Sequence, residues 1–192
     1  MNEIEVKVLE INKNEVIKKL IELKAVLVKK EFQANYMFDY KNQTFENKGG
    51  YVRIRKAYDF INNKEKITLT SKELISKDKF KISKEIEFQA YEFENTKLFL
   101  ESLGLVQFRL DEKYRESYKL DEGLVEIDTW AGVKTYLEVE AETELEIEII
   151  LNKLGYDLKD STSMTLKEIM KKYHIPEKDM IFTEKEKKEF FK

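Results

Sequence analysis

The sequence has no cysteine and a single histidine, His174. Without cysteine the chain can form neither disulfide bonds nor thiolate metal sites. One histidine is too few for a His-ligated zinc site, and it removes a Ser-His-Asp triad as the expected mechanism. Any metal site must therefore be built from oxygen ligands, which favours Mg²⁺, Mn²⁺ or Ca²⁺.

A long apolar run and an excess of basic residues are also missing. No stretch of about 18 apolar residues exists to cross a membrane, and the first residues lack the pattern of a signal peptide. We therefore expect a cytoplasmic protein without a membrane partner. Lys and Arg total 35 against 38 Asp and Glu, which gives a net charge of -3. Since nucleic-acid-binding domains are usually strongly basic, no nucleic-acid partner is expected.

Alternation of apolar and polar residues, which is typical of β-strands, runs through most of the 192 residues. Turn signals separate many of the alternating segments, among them Asn62-Asn63 and Asp121–Gly123, and the second of these predicts a hairpin. The predicted strands are Glu3–Ile11, Val26–Tyr40, Tyr51–Lys56, Lys66–Lys72, Ile82–Ala90, Tyr114–Leu120, Leu124–Thr129 and Tyr136–Ala141.

Four other segments have the apolar spacing of amphipathic helices. The second of them has Asn95 as a candidate N-cap and Gly104 as a candidate stop, and the last two begin at the capping-box candidates Thr143 and Thr165. The predicted helices are centred on Val16–Ile21, Leu98–Leu103, Leu145–Leu154 and Ile169–Tyr173.

The charged faces of the predicted strands are segregated by sign. Like charges two residues apart on one face of a strand are unfavourable without a counter-charge. A set of half-exposed antiparallel strands with solvated outer faces is one interpretation. The basic pairs are Arg53/Arg55 and Lys113/Arg115, and the acidic pairs are Glu85/Glu87, Glu126/Asp128 and Glu138/Glu140.

A closed barrel accounts for this segregation better, because its interior can place basic strands near acidic ones. We therefore predict an α+β fold, a closed antiparallel eight-stranded β-barrel that forms a tunnel, with helices packed on the outside. An interior of this size has room for side chains and one small ligand. Arg and Lys suit phosphate oxygens, and carboxylates suit hard divalent cations. Together they indicate a metal-chelated polyphosphate as the ligand.

These motifs resemble the CYTH superfamily of triphosphate tunnel metalloenzymes, whose N-terminal signature E-x-E-x-K is present as Glu3, Glu5 and Lys7. Further segments similar to the family's are "YVRIRK", "ITLTSK", "EIEF", "EKYRES", "VEIDTW" and "YLEVE". The resemblance implies a tunnel domain over residues 1–175, and a charged C-terminal tail is predicted over residues 176–192. We expect the tail to be a solvated amphipathic helix, with docking over the tunnel mouth through Phe190 and Phe191 as the alternative.

The resemblance also implies roles for individual residues. Mg²⁺ or Mn²⁺ is the expected cofactor, and Lys7 with Glu5 is the expected catalytic pair. The expected phosphate-binding residues are Lys7, Arg53, Arg55, Lys72, Lys113 and Arg115. The expected metal ligands are Glu3, Glu5, Asp128, Glu138 and Glu140, and the supporting tunnel carboxylates are Glu85, Glu87 and Glu126.

The function that this resemblance implies is processing of a triphosphate such as tripolyphosphate, thiamine triphosphate or ATP. If water attacks the terminal phosphorus, the protein is a metal-dependent triphosphatase, which is the function we favour. If a ribose hydroxyl attacks the α-phosphorus, it is a class IV adenylyl cyclase. A third possibility is a non-catalytic polyphosphate-binding module. The sequence leaves open whether the protein is a monomer or a homodimer.

Overall fold

A computed structural model describes residues 2–191, and it describes side chains from Ile4 to Phe191. Eight antiparallel strands form a closed barrel in the order β1-β5-β4-β3-β2-β6-β7-β8, so the predicted fold class is confirmed. The strands are β1 (Asn2–Val8), β2 (Val26–Asp39), β3 (Tyr51–Asp59), β4 (Lys64–Lys77), β5 (Lys81–Ala90), β6 (Val106–Leu120), β7 (Gly123–Trp130) and β8 (Tyr136–Ala141).

Residues 2–191 contain five α-helices, which lie outside the barrel. The predicted capping boxes at Thr143 and Thr165 are both present, and Thr183 forms a third one at the start of the last helix. Each of these boxes satisfies backbone N–H groups that a helix N-terminus leaves without a partner. The helices are α1 (Lys13–Glu22), α2 (Phe93–Ser102), α3 (Glu144–Leu154), α4 (Leu166–Lys172) and α5 (Glu184–Phe190).

Several predicted boundaries are wrong. β1 ends at Val8 instead of Ile11, because the chain turns there to place Asn12 as the N-cap of α1. The N-cap of α2 is Glu92 and not Asn95; Asn95 lies inside the helix and its amide donates to the Glu92 carboxylate. β3 and β4 are each longer than predicted. Their connecting hairpin pairs as far as Asp59 and Lys64, and the other end of β4 pairs with β5 as far as Lys77.

β6 is the largest correction, since it begins at Val106 and not at Tyr114. The outer face of this added part carries Val106, Phe108 and Leu110, and then Glu112, a charged residue that interrupts the apolar run. Glu112 is buried because the Phe182 N–H donates to its carboxylate at 2.9 Å and Lys187 pairs with it at 2.8 Å. A carboxylate with two such partners can occupy a covered outer face, but the pattern alone does not show this.

The apolar faces of the strands lie outside the barrel and are covered by helices. The main core joins α1 and α3 to the strands around β1, with Val6, Leu137 and Ile147 fully buried. A second core lies under α2, where Leu100 contacts the group formed by Phe38 and Ile54. Burial of each such side chain stabilises the fold by about 1.5–3 kcal/mol.

The C-terminal region completes two strand edges that the barrel leaves unpaired. Lys7 and Thr162 exchange two backbone hydrogen bonds, each 2.8 Å long. Met180 donates to the Leu110 carbonyl at 3.0 Å and accepts from Glu112 N–H at 2.7 Å. Unpaired strand edges are a liability, and these contacts satisfy backbone groups of β1 and β6 next to the barrel interior.

The short helix α4 packs beside the connection between β7 and β8. Its Ile169 and Met170 are fully buried against a cluster that includes Trp130 and Tyr136. Its Lys167 pairs with Glu46 of the β2–β3 connection at 2.8 Å. α4 is therefore held against side chains at the end of β7 and the start of β8.

The tail forms the predicted helix, α5, but the expectation that it is solvated is wrong on one face. Phe190 stacks on Tyr114 with ring centroids 4.7 Å apart and also contacts Phe182 at 5.0 Å. Phe191 contacts Phe60 at 5.0 Å. Because Tyr114 belongs to the outer face of β6, the helix docks on the barrel wall. The alternative of docking over the tunnel mouth is wrong in position.

The helices within residues 2–191 are all too short or too polar to cross a membrane.

Candidate active site

The barrel interior, here called the tunnel, is lined by the charged faces that the sequence segregates. Lys7, Arg53, Lys113 and Asp128 are all buried despite their charge. Burying charge is costly unless each charge is paired and hydrogen-bonded, and the tunnel meets this requirement with three connected clusters.

The first cluster surrounds Glu5 and Lys7 on β1. Lys7 contacts Glu5 directly and reaches Glu138 of β8 at 3.1 Å. Glu5 also forms salt bridges with Lys81 at 2.9 Å and with Lys72 at 3.7 Å. Burial opposes ionisation of Glu5, but Lys7, Lys81 and Lys72 together hold the pKa of that carboxyl well below its usual range. Burial likewise opposes the charge on Lys7, but Glu138 and Glu5 raise the pKa of its amine.

The second cluster joins β6, β7 and β8. Arg115 donates through Nε and Nη2 to the two carboxylate oxygens of Asp128, each at 2.6 Å. Lys113 reaches the same carboxylate at 2.9 Å. Arg115 also pairs with Glu126 and lies 3.6 Å from Glu138. Asp128 is buried, yet Arg115 and Lys113 hold the pKa of its carboxyl well below its usual range.

The third cluster lies on β3, β4 and β5. Arg53 is 3.5 Å from Glu87 and 3.9 Å from Glu85, and Lys72 is 3.0 Å from Glu85. Thr70 accepts a hydrogen bond from Arg53 at 3.2 Å and donates one to Glu87 at 2.7 Å. The hydroxyl of Thr70 therefore connects a basic side chain to an acidic one.

Arg55 differs from these residues. Its Nε donates to Oδ1 of Asn35 at 3.0 Å. Burial lowers the pKa of the Arg55 guanidinium to about 10, and the nearby charges of Arg53 and Arg115 add to this effect.

The structure brings most of the predicted site residues together. Glu140 stands opposite Glu5 in the β1–β8 ladder, next to the first cluster. Glu3 belongs to β1 by its backbone, but its side chain lies outside the described residues. The roles assigned to these residues remain predictions.

Sequence reasoning missed three side chains of the tunnel. The predicted fifth strand starts at Ile82 and so leaves out Lys81, although the alternation of Lys81 with Ser83 and Glu85 is a signal for it. Thr70 and Asn35 are neutral, so a search for charged pairs passes over them, although both are fully buried.

The donor set of the tunnel fits a hard divalent cation in its chemistry, since every candidate ligand is a carboxylate oxygen. Within residues 4–191, no three acidic side chains are arranged as a metal-binding group. Lys7 and Arg115 hold Glu5, Glu138 and Asp128 instead. The expectation of Mg²⁺ or Mn²⁺ therefore rests on ligand chemistry.

Comparison with known families identifies the class. The model of the CYTH domain matches residues 1–175, which is most of the chain. The chain therefore belongs to the CYTH domain family. A search of the curated proteins finds no match.

Solved structures share the fold. A protein from Pyrococcus horikoshii OT3 is 24% identical, with a TM-score of 0.72 over 87% of this chain and 98% of that chain. A provisionally assigned adenylate cyclase from Vibrio parahaemolyticus is 13% identical, with a TM-score of 0.74 over 88% of this chain and 97% of that one. A provisionally assigned adenylyl cyclase from Hippeastrum, described as having a dominant triphosphatase activity, is 14% identical, with a TM-score of 0.62 over 89% and 96%.

Proposed function

We propose that this protein is a divalent-metal-dependent triphosphatase that hydrolyses an inorganic or organic triphosphate inside the barrel. The observation that carries the proposal is the arrangement around Lys7, where one buried ammonium joins the carboxylates of Glu5 and Glu138. Buried cations therefore lie beside buried carboxylates inside the barrel. Membership of the CYTH family supports the same class of chemistry.

The basic side chains supply the binding energy and the charge neutralisation in this proposal. Phosphoryl transfer depends mainly on positioning and on electrostatic stabilisation of the transferring group. Arg115 and Arg53 present planar guanidinium groups that match phosphate oxygens, and Lys7, Lys72 and Lys113 add point charges. On binding, the phosphate oxygens take over contacts that the tunnel carboxylates make in the free protein.

The tunnel carboxylates can then hold a metal. Glu5, Asp128, Glu138 and Glu140 are the proposed ligands within the described side chains, and Glu3 is a further one on sequence grounds. A bound Mg²⁺ or Mn²⁺ would neutralise phosphate charge and acidify a water molecule. Lys7 lies between Glu5 and Glu138 and would orient them or hold a proton beside that water.

Adenylyl cyclisation is the second candidate, because an adenylate cyclase assignment exists for a protein of the same fold. The Hippeastrum protein has triphosphatase activity as its dominant one, which favours hydrolysis here. Product analysis separates the two. With ATP and Mn²⁺ we expect orthophosphate and ADP as the main products, and comparison with tripolyphosphate and thiamine triphosphate ranks the substrates. Cyclic AMP with pyrophosphate as the dominant products would contradict the proposal.

A non-catalytic polyphosphate-binding module is tested by Glu138→Gln, which removes a carboxylate but preserves its shape. An enzyme should keep tripolyphosphate binding within about threefold and lose at least about 100-fold in turnover, as expected when a charged catalytic group is neutralised. A wild-type protein that binds tripolyphosphate but turns over none of the three substrates would be a module.

A further inference from the structure

Arg55 is a half-buried cation that forms no salt bridge in the described part of the chain, and Glu87 attracts its guanidinium only from a longer distance. The other tunnel cations are each compensated: Arg53 has Glu85 and Glu87, and Arg115 has Asp128, Glu126 and Glu138. The polar partner of Arg55 is the neutral amide oxygen of Asn35 at 3.0 Å. A half-buried charge without a directly paired counter-charge is unfavourable, so the arrangement indicates an anion that arrives from outside.

The neutrality of this position comes from β2. The face of β2 that looks into the tunnel reads Glu31, Gln33, Asn35, Met37 and Asp39, and Gln33 and Asn35 are 1% exposed. The two carboxylates, Glu31 and Asp39, stand at the ends of this row and accept hydrogen bonds from groups other than Arg55. Glu31 accepts from Gln33, and Asp39 accepts backbone N–H groups of the following loop. The middle of the row is therefore uncharged.

The order of strands makes this middle position special. β2 lies between β3 and β6, the two basic strands. In the ladders, Asn35 stands opposite Arg55 on one side and Asp111 on the other. Asn35 uses both ends of its amide: Oδ1 accepts from Arg55, and Nδ2 donates to the Asp111 carbonyl oxygen at 3.1 Å. Because the amide nitrogen is fixed on β6, the amide oxygen is directed at Arg55.

Thr68 stands opposite Arg55 on the other neighbouring strand, β4. Its hydroxyl is buried and lacks a hydrogen-bond partner in the described residues. Asn35, Arg55 and Thr68 thus form one row across three strands, with a fixed cation in the middle and an unused donor beside it. Guanidinium and hydroxyl groups are the usual ligands of a phosphate oxygen.

We propose that Asn35 is a positioning residue that holds Arg55 ready for a phosphate group of the substrate and keeps it without a directly paired counter-charge until the substrate binds. This rests on the proposed function, since it assumes a triphosphate in the tunnel. The phosphate at this row lies on the β2–β3–β4 wall, whereas the proposed metal ligands lie on β1, β7 and β8. The substrate therefore spans the tunnel from the metal to Arg55.

The experiment measures the affinity for inorganic tripolyphosphate by calorimetry in EDTA, so that turnover does not interfere. Asn35→Asp has the same shape but gives Arg55 a permanent counter-charge, and we expect the dissociation constant to rise at least about tenfold. Asn35→Leu removes the fixed acceptor without adding charge, and we expect a rise of about three- to fivefold. The control is Asn152→Asp on the exposed face of α3, which changes the net charge equally and should leave the affinity unchanged.

A double-mutant cycle tests whether Asn35 acts through Arg55. In an Arg55→Met background, Asn35→Leu should change the affinity by less than about twofold. An equal loss in both backgrounds would mean that Asn35 only supports the fold, and unchanged affinity of Asn35→Asp would overturn the proposal as well. If Asn35→Leu does not fold, Asn35→Ser replaces it.

Failure of this inference is distinct from failure of the proposed function. A wild-type protein that binds tripolyphosphate and hydrolyses it, but is indifferent to Asn35→Asp, removes only the role of Asn35. A wild-type protein that neither binds nor hydrolyses tripolyphosphate, thiamine triphosphate or ATP removes both.

Discussion

The buried carboxylates of this protein differ in whether cations reach both of their oxygens. Asp128 has a basic group on each oxygen. Asp111 has Arg109 on Oδ2 at 2.7 Å, while its buried Oδ1 has no hydrogen-bond partner within the described residues. Burial raises the pKa of Asp111 to about 6, because the attraction of Arg109 does not compensate for the loss of water.

This difference predicts how stability depends on pH. The folded-state pKa of Asp111 lies above the unfolded value of about 3.9. Between these two values the folded protein binds more protons than the unfolded chain. The folded state therefore loses stability as the pH rises from about 4 to about 6. Asp111→Asn removes this linkage. The unfolding free energy of wild type minus that of the variant, from urea titrations, should therefore fall by about 2 kcal/mol between pH 4 and pH 7.

Taking the difference between two proteins cancels the other groups that titrate in this range. A difference that stays constant between pH 4 and pH 7 would show that burial does not raise the pKa of the Asp111 carboxyl. A difference that rises with pH would give the linkage the opposite sign and would also contradict the account.

At the residue scale, the sequence predicts charged site residues well and neutral ones poorly. Arg53 and Lys113 are recognisable because like charges repeat on one strand face. Asn35 stands between Ala34 and Tyr36 with no charge pattern around it, and its importance depends on β3 and β6 being its neighbours. That information is in the strand order, which local alternation does not contain.

At the element scale, periodicity predicts the existence of all eight strands because their two faces differ sharply in polarity. It fails where tertiary contacts change the chemistry of one position. Glu112 interrupts the outer face of β6 and shortens the predicted strand, since its partners Phe182 and Lys187 come from a distant segment. The docking position of α5 is missed for the same reason. The sequence offers docking through Phe190 and Phe191 as an alternative, but the aromatic residues that receive them belong to distant segments.

Deletion of residues 183–192 should destabilise the protein. It removes the contacts of Phe190 and Phe191 and exposes Tyr114, which is 5% exposed in the full chain. Loss of one partly buried aromatic side chain with its ring pairs is worth about 3 kcal/mol. For a chain of this size, the melting temperature should fall by roughly 6–12 °C.

Scanning calorimetry measures this, with Lys185→Ala on the exposed side of α5 as the control that should melt with the wild type. Because the helix docks on the outer wall, turnover well below the melting temperature should stay within about twofold of wild type. An unchanged melting temperature would mean that α5 does not dock. A large loss of turnover without destabilisation would mean that the tail reaches the tunnel.

At the scale of the whole molecule, barrel closure brings strands with like-charged faces next to strands of the opposite charge. β6 lies beside the acidic strand β7, and β4, with Lys72, lies beside the acidic strand β5. Backbone contacts from Thr162 and Met180 complete the wall next to these charges. The structure thus buries many charges inside the barrel and pairs most of them across neighbouring strands.

The measurement that tests the central claim most directly is the rate of phosphate release from tripolyphosphate as Mn²⁺ or Mg²⁺ is added to metal-free protein. The account predicts no release in EDTA, a saturable rise with metal, and loss of at least about 100-fold in Glu138→Gln. Release that is insensitive to EDTA would contradict a role for metal held by the tunnel carboxylates. No release at any metal concentration, from this or the two organic triphosphates, would contradict the assignment as a triphosphatase.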